Sequence, residues 1–193
     1  MNRSRIALLA LPLVAAALTL SACGPSDPSP DPTVAEPTPS DSATATPDPE
    51  PAGPVFALPA NCGAIASQIT LNQVFSGIDA RDPADLVRPA PASASKLLTC
   101  SWFTGDTTGG DLIYYSAPAA DSAAYLDVVK ASGFACTEAF EGTRCDKTTP
   151  NSQFPVDTVE TVFTRDDVWI YISMTNVDAA PLLPDMVATA WAA

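Results

Sequence analysis

The chain has 193 residues, 22 acidic against nine basic side chains and no histidine, a formal net charge of −13. Without histidine, Ser-His-Asp triads, HExxH zinc sites and imidazole acid–base steps are excluded. The basic residues are scattered singly, which makes nucleic-acid phosphate a poor partner and leaves nothing to hold an anionic lipid surface except a lipid of the chain's own.

Arg3 and Arg5 precede an apolar run from Ile6 to Leu20 that is too short, and interrupted by Pro12, to make a comfortable membrane span. The run closes on Leu20-Ser21-Ala22-Cys23, which reads as a bacterial lipoprotein signal. Small residues at Ser21 and Ala22 admit a signal peptidase to the bond between Ala22 and Cys23, and the Cys23 thiol takes a diacylglyceryl group through a thioether. Two or more acyl chains anchor stably, each buried methylene contributing ~0.8 kcal/mol. Residues 1–22 are therefore expected to be a signal peptide, and the address is the extracytoplasmic face of the cell membrane. Removing them deletes two arginines and no acid, leaving seven basic and 22 acidic side chains, a charge of −15.

Residues 23–54 form a lipidated cysteine and tether. Gly24 to Pro54 holds ten prolines among Ser, Thr, Asp and Glu, with almost no apolar residue larger than Ala besides Val34. Such a segment has no core to build. It is expected to be a disordered, partly polyproline-II spacer reaching at most ~3.1 Å per residue, about 90 Å in all. Residues 55–193 are a common single-domain length and bury roughly two-thirds of their unfolded surface around one core.

In chain order, Thr70-Leu71-Asn72-Gln73 has capping-box spacing and Gly77 follows, predicting a short helix over about 71–76. Leu98, Cys100 and Trp102 alternate to one face of a strand; Leu112 to Ser116 is a second strand after a loop from Thr104 to Asp111 that contains Gly109-Gly110. Asp121 is expected to cap a helix with Tyr125, Val128, Val129 and Ser132 on one face, ended by Gly133-Phe134. Val159, Thr161 and Phe163 fall opposite Met174, Ile172 and Ile170 across a turn at Asp166-Asp167, and Trp169 and Tyr171 point to the other face, covered by another helix or partly wet. Pro181 and Pro184 suit the first turns of a last helix whose Leu183, Val187 and Trp191 cover the sheet. The fold class is α+β: an antiparallel β-sheet with helices packed mainly on one face.

With Cys23 lipidated, Cys62, Cys100, Cys136 and Cys145 are even in number in a chain that leaves the reducing cytoplasm, so two disulfides are expected. Four cysteines allow three pairings. The segment 143–145 can fold back on 136–138 across the loop Ala139 to Gly142, which sets Cys136 opposite Cys145 and leaves Cys62 for Cys100. The spacings lack the paired C-x₂₋₄-C knuckles of a zinc site.

The lipobox, the Pro-rich tether and the Cys100-Ser101-Trp102 strand, in the order short helix, strand, hairpin, helix and terminal hairpin, resemble small uncharacterised envelope lipoproteins of high-GC Gram-positive bacteria. The resemblance implies a surface-tethered extracytoplasmic domain and supplies no catalytic residue.

The residues offer little chemistry. Ser93 to Lys96 matches S-x-x-K, but it follows Pro89 and Pro91 and precedes a strand, where a penicillin-recognising enzyme opens a buried helix. Glu138 with Glu141 and Asp157 with Glu160 are carboxylate pairs of the kind a glycosidase uses, in a chain acidic enough to place them together by chance. Asp79, Asp82 and Asp85, and Asp106 and Asp111 around the glycines, supply oxygen ligands without an EF-hand pattern. No cofactor and no metal is expected. The expected function is a non-enzymatic binding or interaction module at the envelope, using a sheet face at Trp169 and Tyr171 or the loop with Asp106 and Asp111, toward an envelope protein, glycan or small ligand. A lipid or glycan carrier with an apolar pocket of ~300 Å³ or more is the alternative, and an envelope hydrolase working through paired carboxylates the third.

Overall fold

Ser67 opens the first helix, and it does so from a distance. In the computed structural model, which describes residues 54–83, 85 and 88–192, α1 (Gln68–Phe75) has Ser67 as its N-cap, with the Ser67 Oγ accepting from the Thr70 backbone N–H at 3.3 Å. Capping-box spacing at Thr70 put the start three residues too late. Asp185, 118 positions away, accepts from both the Ser67 backbone N–H at 2.7 Å and the Ser67 hydroxyl at 2.6 Å, a tertiary clamp that no local pattern carries. Gly77 follows with φ +73, as its place after the helix requires.

That clamp is pH-sensitive. The Ser67 hydroxyl holds the Asp185 carboxyl below its ordinary value, against a smaller opposing effect of burial. Because the folded value lies below the unfolded one, near 3.9, the stabilisation is full above about pH 4 and is lost as pH falls through the depressed value. Asp185→Asn is therefore expected to be less stable than the parent at neutrality, with the gap closing on acidification, as read by denaturant unfolding at a series of pH values. A gap that does not change with pH would contradict the assignment.

Seven antiparallel strands form one sheet in the order β1-β2-β3-β7-β6-β5-β4. They are β1 (Asp79–Arg81), β2 (Ser95–Thr104), β3 (Thr108–Ser116), β4 (Ala135–Ala139), β5 (Gly142–Pro150), β6 (Asp157–Arg165) and β7 (Val168–Thr175). The β6–β7 register is the expected one, with Val159, Thr161 and Phe163 opposite Met174, Ile172 and Ile170. Phe140 and Glu141 both have positive φ in the β4–β5 turn, the geometry of a tight two-residue hairpin, and Cys136 lands directly opposite Cys145. Both disulfides form, Cys136–Cys145 and Cys62–Cys100.

The loop expected from Thr104 to Asp111 is instead a tight turn at 105–107, and β3 begins at Thr108. Gly109 and Gly110 are strand residues. A Cβ on Gly109 would run into the Trp102 carbonyl oxygen, and one on Gly110 into that of Ser173. The glycines thus serve close packing between neighbouring strands, not chain reversal.

Two of the three helices lie on one face of the sheet. There α1 and α3 (Leu182–Ala190) pack over Trp102, Leu112, Ile170 and Met174, with Phe75 stacked on Trp102 at 4.1 Å and Leu183, Val187 and Trp191 buried as expected. On the other face α2 (Ala119–Ala131) covers Ile113, Tyr115, Val162, Trp169 and Tyr171. Asp121 does not cap α2. Its carboxylate accepts from Ser93 Oγ, while Asp167 in the β6–β7 turn accepts from the Ala119 N–H at 2.9 Å. The buried stripe is Ser122, Leu126 and Val129, with Tyr125 half-buried and Val128 and Ser132 turned outward. Both stripes have helical spacing, so only the sheet beneath could choose between them.

Candidate functional site

Trp169 and Tyr171 are 0% exposed and are therefore not a binding surface. Trp169 meets the edge of Tyr125 on α2 at 5.6 Å and donates from Nε1 to the Pro89 carbonyl at 3.0 Å. Asp106 and Asp111 do not converge either: Asp106 is exposed in the turn, whereas Asp111 is buried on β3. The carboxylate pairs separate in the same way. Glu138 accepts from Thr143 and Glu141 pairs with Arg165; Asp157 and Glu160, three residues apart on one strand, point to opposite faces of the sheet. Ser93 is bonded to Asp121 and Lys96 pairs with Asp85 at 3.3 Å. Among the described residues no three ligating side chains gather into a metal site. Ala22 and Cys23 lie outside the described residues.

What the structure does bring together is a polar row across the sheet on the face that carries α2. Cross-strand partners share a face, so the registers place Arg81, Ser101, Asp111, Ser173, Glu160 and Lys147 side by side on β1, β2, β3, β7, β6 and β5. The next row outward is Asp79, Phe103, Gly109, Thr175, Thr158 and Thr149, by the same registers. The apolar residues under α2 occupy the opposite half of this face. Ser101 and Asp111 are buried; Ser173, Glu160, Lys147, Phe103, Thr158 and Thr175 are half-buried; Arg81, Asp79 and Thr149 are exposed. The result is a shelf six strands wide, about 24 Å at ~4.8 Å per strand.

Its centre is fixed by a hydrogen-bonded network. Arg88 Nη2 lies 3.0 Å from Asp111 Oδ2, Ser101 Oγ donates to Asp111 Oδ1 at 2.8 Å, and the Arg88 guanidinium sits over the Tyr171 ring at 5.6 Å. The Tyr171 hydroxyl donates to Glu160 Oε1. Burial, and then the Glu160 carboxylate, push the Tyr171 hydroxyl well above its ordinary value, so it stays a neutral donor. At the two ends, Arg81 lies over the Phe103 ring at 5.9 Å and Lys147 over Phe134 at 5.5 Å. The shelf offers donors and hydroxyls, with Thr158 and Thr175 bonded to each other at 2.8 Å, and among the described residues it holds no nucleophile–base pair.

Several concavities lie elsewhere, among them one of about 390 Å³ between Pro91, Ser93, Asp121 and Tyr125, one of about 270 Å³ beside Phe75 and Trp102, and one of about 250 Å³ beside Leu126 and Cys136. An open groove of about 470 Å³ runs between Pro54–Phe56, Leu97 and Val168, and a narrower pocket of about 190 Å³ lies between Arg144, Ile172, Met174 and Leu183. The 470 Å³ and 390 Å³ concavities are open to solvent, and the others are smaller than the ~300 Å³ a carrier needs.

Sequence reasoning reached Glu160 but missed Arg81, Arg88, Ser173 and Lys147. The β6–β7 register already implied Glu160 opposite Ser173; the others depend on strand order across the sheet. No family model matches the chain, and no curated protein or solved structure matches it either.

Proposed function

We propose that this chain is a non-enzymatic binding module of the cell envelope, anchored by lipid on Cys23, spaced from the extracytoplasmic face of the membrane by residues 24–54, and recognising its partner through the polar shelf. The reading places it with the small envelope lipoproteins of high-GC Gram-positive bacteria that its lipobox and tether resemble. The observation that carries the binding role is the row from Arg81 to Lys147, six polar side chains in register on one sheet face. A merely solvated face has no need of a buried Asp111 carboxylate at its centre, held by a half-buried Arg88, since burying charge costs unless it is paired and bonded. Two disulfides support an oxidising compartment. The scattered carboxylates argue against a hydrolase, and the openness of the larger groove argues against a carrier.

A photo-crosslinking residue at Thr149, exposed on the shelf, tests this in cells, with the same residue at Asp127, exposed on α2, as the control. Adducts from position 149 and not from 127, in the membrane fraction, are expected. Equal adducts from both, or none from 149, would overturn the reading.

A further inference from the structure

The sheet ends in two edge strands, β1 and β4, and the outer side of each is unpaired among the described residues. An exposed row of backbone N–H and C=O groups is a template for another strand, and native edges commonly blunt it with charge. Blunting works when the charges repel every copy of the chain. β1 has the opposite arrangement: Asp79, Ala80 and Arg81 are all exposed, and the two charges differ in sign. Their registers with Phe103 and Ser101 put both charged side chains on the face that carries α2, with Ala80 between them facing the other way. Neither forms an ion pair among the described residues; Arg81 lies over the Phe103 ring instead.

We propose that β1 pairs antiparallel with β1 of a second copy of this chain, about a two-fold axis through Ala80, joining the two sheets edge to edge. In that register Asp79 of each copy stands opposite Arg81 of the other, so one contact makes two cross-strand ion pairs. A slip of two residues either way sets Asp79 against Asp79 or Arg81 against Arg81, and parallel pairing sets like beside like. The charges thus select both direction and register. β4 offers no such match: turned about Thr137 it puts Glu138 opposite Cys136, which is already bonded to Cys145. Pro83 has no N–H to donate and keeps the seam short. A seam of that length buries less than the roughly 1,200 Å² of a stable interface, so the dimer is weak and salt-sensitive. The inference goes beyond the binding-module reading and does not depend on it. In the dimer the two polar shelves lie on the same face and meet at the seam.

Sedimentation velocity of the full chain in detergent micelles, over a concentration series at low salt, tests this. The parent is expected to dimerise as concentration rises, and to do so less in high salt. Asp79→Arg and Arg81→Asp each turn both ion pairs into like-charge contacts and should weaken the dimer by about ten-fold or more. Mixing these two variants, distinctly tagged, should restore it as a heterodimer. The double reversal Asp79→Arg/Arg81→Asp is again self-complementary and should dimerise like the parent, although it lacks the Arg81–Phe103 contact just as Arg81→Asp does. A parent that stays monomeric throughout, a dimer indifferent to the single reversals, a mixture that does not recover it, or a double reversal that behaves like the singles would overturn the proposal. All variants share one anchor, so chance sharing of a micelle would leave them alike and counts against the pairing.

Discussion

Replacing Cys62 and Cys100 with alanine is expected to lower the stability of the folded unit by about 4 kcal/mol, the chain-entropy value for a loop closed across 38 residues. That is a large share of the 5–15 kcal/mol typical of whole domains. The bond ties the 3₁₀ turn Cys62–Ala64 to the middle of β2, and Cys100 is fully buried in the core under α1 and α3. Cys136–Cys145 closes a separation of only nine, worth about 3 kcal/mol in the same model. Its two strands are already held in register by the Phe140–Glu141 turn. Denaturant unfolding of the two double-alanine variants should rank them in that order. A greater loss from Cys136 and Cys145 would show that the first bond does not carry the weight assigned to it.

Arg88→Met is expected to cost about 3 kcal/mol, the lower end of the range for removing one member of a buried ion pair, because the Arg88 side chain keeps 30% exposure. The substitution leaves the Asp111 carboxylate buried on β3 with only the Ser101 hydroxyl to answer it, and removes the cation from the Tyr171 ring. Most of that loss is the penalty of a stranded charge. The double variant Arg88→Met/Asp111→Leu should therefore recover a large part of it, since a well-packed apolar pair commonly matches a buried ion pair. A double-mutant cycle measures the coupling directly. Additive losses would mean that the two side chains do not depend on each other, and the shelf would lose the centre that distinguishes it from an ordinary polar surface.

The parts of the fold legible in the sequence were those that depend on neighbours along the chain. Alternation of Val159, Thr161 and Phe163 against Ile170, Ile172 and Met174 fixed a hairpin and its register, and the nine-residue separation of Cys136 and Cys145 fixed a disulfide. Gly133, with φ +92, ends α2 where a left-handed residue was needed. Misreadings came where a distant group decides. Asp185 moves the start of α1 to Ser67, Asp167 takes the cap expected of Asp121, and the Ser173 and Trp102 carbonyls explain glycines that locally read as a turn. Trp169 and Tyr171 were assigned to the correct face, yet alternation along a strand cannot say what covers that face; α2 covers them.

The candidate site was less legible for the same reason. Glu160 was noticed beside Asp157, although residues three apart on a strand face opposite ways and cannot share a bond. Arg81 and Lys147 are 66 positions apart and become ends of one row only through the order of six strands, two of which come late in the chain. A net charge of −13 also hides them, because an overall count says nothing about where single cations fall.

The central claim, an exported and lipid-fastened module, is tested most directly by the intact mass of the protein recovered from the membrane fraction of cells that make it. The expected species begins at Cys23, has the added mass of a diacylglyceryl group, and shows no free thiol among Cys62, Cys100, Cys136 and Cys145. A soluble cytosolic chain with an unmodified Cys23 and reactive thiols at all five cysteines would contradict it.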